Sequence, residues 1–141
     1  MLRAAAIAAA IASVALAAPA HAAAPNYILI HGRGLEKPIL LPRWSENGTV
    51  LVTLVQAPFA SPQRIRQLRN RPRLGMALFW GWSDRPRPSG PAAANQRGWF
   101  YPAHGSQPPV VALRVDGIDK PRLAPPHFLR ILARYGVPVR T

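Results

Sequence analysis

The segment that most restricts the fold lies near the C-terminus. Phe128, Ile131, Leu132 and Tyr135 recur at i, i+3, i+4 and i+7, the spacing that lines one face of an α-helix. Arg130 and Arg134 fall on another face. Pro125 and Pro126 suit a first helical turn, where the N–H that proline lacks has no intrahelical partner anyway. Gly136 and Pro138 then stop the helix. A helix with a single apolar stripe must bury it against another layer. The patterned stretches upstream are of β type, so the layer it meets is a sheet. The predicted fold class is α+β: a small antiparallel sheet of about five to six strands, with one C-terminal amphipathic helix from about Pro126 to Tyr135 lying across one face.

Tyr27 to His31 reads as the first strand and Gly32-Arg33-Gly34 as a turn. Lys37 to Leu41 reads as the second, with Pro38 near its start, where a missing donor is tolerated. Together, Tyr27 to Leu41 predict a hairpin, with His31 at the end of an edge strand. Residues 45–56 have two readings. Asn47-Gly48 ahead of Thr49 to Val55 looks like a turn feeding a β-branched strand. Ser45 could instead cap a helix that puts Val50, Leu51, Leu54 and Val55 on one side. Gly48 and the β-branched density favour the strand. Pro58 to Arg73 is a basic connector with one or two helical turns around Ile65 and Leu68. Strand character returns from Leu74 to Trp82, and Ser83 to Arg97 reads as a proline- and glycine-rich surface loop. Gly98 to Tyr101 and Pro109 to Val115 are the last two expected strands, the latter ended by Asp116-Gly117.

The opening residues have a different character. Met1-Leu2-Arg3 supplies a positive charge, Ala4 to Ala18 is uncharged and rich in alanine, and Pro19-Ala20-His21-Ala22 closes the run. A positive start, an apolar centre and an A-x-A exit are the three parts of a cleavable secretory signal peptide. The apolar run is shorter than the roughly 20 residues a membrane span requires. The expected organisation is a signal peptide over 1–22 and a single small basic domain over 23–141, secreted or periplasmic after cleavage near Ala22. No second run approaches the length of a transmembrane span. The chain has no cysteine, which excludes disulfides, thiol catalysis and a lipidated cysteine.

The chain carries 18 Lys and Arg against 5 Asp and Glu, a net charge of +13, and Arg3 is the only basic residue in the expected signal peptide. A charge of that size attracts any polyanion it meets. Outside the cytoplasm these are anionic envelope polymers and lipid head groups, and nucleic acid is not an expected partner. All the basic residues except Lys37 and Lys120 are arginine. Arginine favours bidentate contacts with phosphate or carboxylate, although a GC-rich genome produces the same bias.

Tyr27-Ile-Leu-Ile-His-Gly-Arg-Gly-Leu-Glu-Lys-Pro-Ile39 resembles the opening of small exported bacterial proteins of unknown function. These begin with a hydrophobic strand, then G-x-G-L-x-x-P and a second apolar strand. The resemblance covers about a tenth of the chain. It implies export and a hairpin, and it supplies no catalytic residue.

Candidate chemistry is sparse. Tyr27 to Gly34, a strand ending in His-Gly-x-Gly, is similar to the segment before the oxyanion hole of α/β-hydrolases. Ser83, Asp119 and His127 follow the chain order of such a triad. Gly81-Trp82-Ser83-Asp84-Arg85 lacks the second glycine of a nucleophile elbow, however, and Pro86 and Pro88 oppose the helix that must follow it. A hydrolase is therefore only the alternative reading. His31, His104 and His127 have no metal-ligand spacing, so neither a metal nor a cofactor is expected. Two groups stand out more. Arg64, Arg66, Arg69, Arg71 and Arg73 place five guanidinium groups within ten residues and could clamp an anion, or simply solvate a loop. Trp80 with Trp82, and Trp99 with Tyr101, stand two apart, so each pair would share one side of a strand. Each pair would form either an aromatic platform or part of the core. These features predict a non-catalytic binding or interaction module for an anionic envelope component, against a purely structural envelope protein.

Overall fold

The computed structural model describes residues 25–41, 52–82 and 85–141. The expected signal peptide and Ser83 lie outside the described residues, as do residues 45–51 of the strand-or-helix segment.

Six strands form one sheet: β1 (Tyr27–His31), β2 (Ile39–Leu41), β3 (Leu74–Phe79), β4 (Gln96–Tyr101), β5 (Val110–Val115) and β6 (Ile118–Leu123). Their order is β2-β1-β3-β4-β5-β6, with every neighbouring pair antiparallel. The expected hairpin is present, its second strand shortened to Ile39–Leu41. β1 is not an edge strand as expected, because β3 returns along its other side. The fold is α+β, with the C-terminal helix α2 (Pro126–Arg134) where periodicity places it.

Strand alternation gives the sheet two unlike faces. On the first, Ile28, Ile30, Leu41, Leu74, Met76, Leu78, Phe100 and Val111 build a continuous apolar layer. Phe128, Ile131 and Leu132 of α2 complete it, and Phe100 meets Phe128 edge to face at 5.8 Å. Gly136, at a φ of 85°, ends α2 in the left-handed conformation that glycine adopts without penalty. It turns the chain so that the Val137 N–H donates to the Leu132 carbonyl and Val137 is buried under the helix.

Two expectations are corrected at the sheet margins. Residues 52–56 are helical rather than a strand, and Leu54 joins the first apolar layer. The β-branched density of this stretch yields to a spacing that buries Leu54 and leaves Val52 and Val55 exposed. β6 is a strand the sequence pattern does not predict, because Ile118-Asp-Lys-Pro-Arg-Leu123 reads as a polar segment broken by proline. It is an edge strand, where a proline leaves no sheet neighbour without a donor. Segment 58–60 covers part of that edge: the Ala60 N–H donates to Pro121 and the Leu123 N–H to Pro58. Asp116 and Gly117 both have positive φ, 52° and 76°, as a two-residue Asp-Gly hairpin turn requires.

Candidate anion-binding groove

The opposite face carries the candidate site. β-sheet register lines up His31, Gly75, Trp99, Ala112 and Pro121 in one row across five strands. At the β5–β6 end of this row the small Ala112 and Pro121 leave a trough beside Tyr101 and Asp119. The basic connector folds over one end of it as α1 (Pro62–Gln67), followed by a 3₁₀ turn at Leu68–Asn70. Ser61 starts α1, its Oγ accepting the Arg64 N–H at 3.3 Å, and Pro62 occupies the first turn. Leu68 anchors the turn against Tyr101, Val110 and Ala112. The resulting open groove has a volume of about 590 Å³. Arg69, Arg71 and Arg73 line it, over a floor that includes Tyr101 and Ala112, and Asp119 and Pro121 of β6 line it too.

The five arginines of the connector separate into different environments. Arg64 lines a smaller hollow with Ser61, Gln63, Gln67, Ser106 and Gln107, and Arg66 is exposed on α1. Arg69 and Arg73 are exposed at the groove, and among the described residues neither has a carboxylate partner. Arg71 is only 8% exposed. Its Nη2 donates to the carbonyl of Pro102 and, at 3.5 Å, to that of Tyr101. Its Nε is buried without a partner. Burial pushes the Arg71 guanidinium below its ordinary pKa, an effect opposed by Tyr101 and reinforced by Arg64. An arginine keeps its charge through a shift of this kind, so the groove wall contains a buried cation held by neutral carbonyls.

The aromatic residues divide as well. Trp99 and Tyr101 share the groove face as their spacing predicts. Arg73 stacks over the Trp99 ring at 3.7 Å, and Arg71 lies 6.0 Å from the centre of Tyr101. The indole face is thus occupied by a guanidinium and is not an open platform. Trp80 and Trp82 do not share a side. β3 ends at Phe79, and Gly81 takes a φ of 63°, so strand alternation stops before it can align them. Trp80 packs at the margin of the first apolar layer and its indole donates to Gln96 Oε1 at 3.2 Å. Trp82 is buried on the groove face against Phe79 and donates to the Pro86 carbonyl at 2.8 Å.

Asp119 is the residue whose place at the site the sequence left unread. Its Oδ1 accepts from Arg114 Nε at 2.9 Å, a contact that raises the Arg114 pKa. The Asp-Gly turn before Ile118 was the signal that could have found it, since a hairpin there sets Asp119 opposite Arg114. His127 belongs to α2 on the other face of the sheet, so the described parts of the hydrolase alternative, Asp119 and His127, are not brought together. His31, whose ring lies over Gly75, has its pKa lowered by burial and then by Arg97. Among the described residues no three metal-ligating side chains cluster, and no helix is long and apolar enough to cross a membrane. No protein-family model, curated protein or solved structure matches the chain.

Proposed function

We propose that this is an exported, non-catalytic binding module whose Arg69–Arg73 groove engages an anionic polymer of the cell envelope. One observation carries the reading: three arginines line a single groove, one of them buried, while its single lining carboxylate, Asp119, is already engaged by Arg114. An uncompensated buried cation is costly, and a bound anion offsets that cost with charge-assisted hydrogen bonds. The net charge of +13 adds a long-range attraction that brings polyanions to the surface.

The test is capture by purified phosphate- and carboxylate-bearing envelope polymers across a salt series. Contacts between exposed charges are screened over about 10 Å at 0.1 M ionic strength, so capture should weaken as salt rises. Arg69→Glu with Arg73→Glu should abolish it, whereas Arg66→Glu, outside the groove, should reduce it only slightly. Equal losses from both would reduce the effect to net charge. Capture by anionic vesicles that depends on Arg130 instead would move the contact to the outer face of α2 and replace polymer with lipid head groups.

A further inference from the structure

The groove pairs its arginines with a carboxylate, and that combination narrows the chemistry it can hold. A site meant only for negative charge gains nothing from a lining aspartate. Asp119 repels a bare anion, yet its side chain is about one-third exposed, and Arg114 donates to both its oxygens, to Oδ1 at 2.9 Å and to Oδ2 at 3.4 Å. An ionised carboxylate has about four acceptor positions, so Asp119 retains capacity to accept a hydrogen bond from a ligand hydroxyl. Arg71 contributes the complementary half. Its guanidinium is pinned through Nη2 by the Tyr101 and Pro102 carbonyls and its Nε is buried, which leaves Nη1 as the donor that Arg71 can present to the groove it lines. A donor immobilised before binding loses little entropy when an oxyanion arrives. The exposed Arg69 and Arg73 supply guanidinium groups for the remaining oxygens.

From this juxtaposition we propose that the groove recognises a phosphate ester of a polyol or sugar. Arg71, Arg69 and Arg73 hold the phosphate, and Asp119 accepts a hydrogen bond from a hydroxyl on a neighbouring carbon. The inference rests on the groove being the anion site, and it adds that the anion is phosphate carried next to hydroxyl groups. Carboxylated sugars present a smaller anion that engages fewer of the three guanidinium groups. Inorganic phosphate lacks the hydroxyl and meets Asp119 only as a like charge.

The test uses glycerol phosphate, inorganic phosphate and galacturonate as probes, titrated into the protein and followed by amide chemical shifts and calorimetry. Glycerol phosphate should bind at least several-fold more tightly than the other two and shift the amides of Arg71, Tyr101, Ala112 and Asp119. Asp119→Ala is made together with Arg114→Ala, so that the released arginine does not become a new anion site. That double variant should remove the preference for glycerol phosphate over inorganic phosphate while leaving inorganic phosphate bound as well as before or better. Arg69→Ala should weaken glycerol phosphate about tenfold, the size of change expected for losing one charge-assisted bond. Equal affinity for the three probes, or a preference that survives the double variant, would overturn the proposal. If polymer capture is lost on Arg69→Glu with Arg73→Glu while the probes are not distinguished, the groove stands and the hydroxyl-phosphate inference fails. If neither polymer nor probe binds, both fall.

Discussion

The two faces of the sheet use the same six strands for opposite purposes. The face under α2 is an unbroken apolar layer in which large side chains interlock, with Phe128, Ile131 and Leu132 wholly or almost wholly excluded from solvent. The other is covered in pieces: Trp82 and Ala94 pack on the Leu29–Phe79 end, and Leu68 on the Tyr101–Val110 end. Beside the latter, Ala112 and Pro121 leave the face shallow, and arginines close over it. One face therefore supplies cohesion and the other accessible charge. In a domain of this size, with no disulfide to assist it, concentrating the core on one side frees the other side to carry groups that contribute little to stability.

Truncation of the helical face should have the largest effect. Phe128→Ala, which removes the edge-to-face contact with Phe100, should cost about 3–5 kcal/mol, and Leu132→Ala about 2–5 kcal/mol. Chemical denaturation measures both, and a small change in either would mean that α2 is not the lid of the core. Adding a methyl group sharpens the contrast from the other direction. A Cβ at Gly98 would sit 2.7 Å from the Ala112 carbonyl oxygen in the middle of the sheet, so Gly98→Ala should cost about 1–3 kcal/mol through backbone displacement. A Cβ at Gly75, on the groove face, would overlap the His31 ring instead. A half-buried side chain can swing outward where a backbone cannot, so Gly75→Ala should cost less than Gly98→Ala. His31→Ala in the same chain should recover most of that loss.

These two faces were not equally legible in the sequence. The helical face follows simple periods: Ile28 and Ile30 alternate, and Phe128, Ile131 and Leu132 fit a helical stripe, because burial of one side repeats with the geometry of the element. The groove depends on relations that no local pattern carries. Trp80 and Trp82 have strand spacing, but a left-handed Gly81 separates them, and nothing in the tripeptide distinguishes a glycine continuing a strand from one ending it. Arg64 to Arg73 reads as one basic run, yet the turn from α1 into the 3₁₀ segment sends Arg64 to one hollow, buries Arg71 and leaves Arg69 and Arg73 at another. β6 was obscured by Pro121, whose tolerance depends on the strand being at the edge, a property of the whole sheet. The Asp116-Gly117 turn was the available local clue, since two β-branched residues, Val115 and Ile118, flank it.

Arg73 separates function from cohesion on the groove face. Its guanidinium stacks on Trp99 at 3.7 Å while remaining exposed, and exposed contacts of this kind contribute about 0.5–1 kcal/mol. Arg73→Ala should therefore shift stability by no more than that, yet weaken polymer capture strongly. Denaturation midpoints and a binding isotherm on the same variant test both halves. A large stability loss would make Arg73 part of the packing and weaken its assignment to ligand binding.

The smallest expected effect belongs to His31, and its sign follows from where the ring lies. Burial beside Gly75, and after it the positive charge of Arg97, lower the His31 pKa in the folded protein. Both disfavour the imidazolium, so the unfolded chain binds the proton more readily than the folded one. By linkage, the folded state gains stability as pH rises. The contribution is fully present above the unfolded value of about 6.5 and is lost as pH falls through that value and the lower folded one. The loss should disappear in His31→Gln, which keeps a polar side chain but does not titrate. Unfolding free energies at closely spaced pH values, wild type against His31→Gln, isolate the term from the carboxylates that titrate at lower pH. A pH-independent difference between the two would show that the ring feels neither burial nor Arg97. A difference growing in the opposite direction would mean that an anion from solution is already seated on this face, favouring the charged ring.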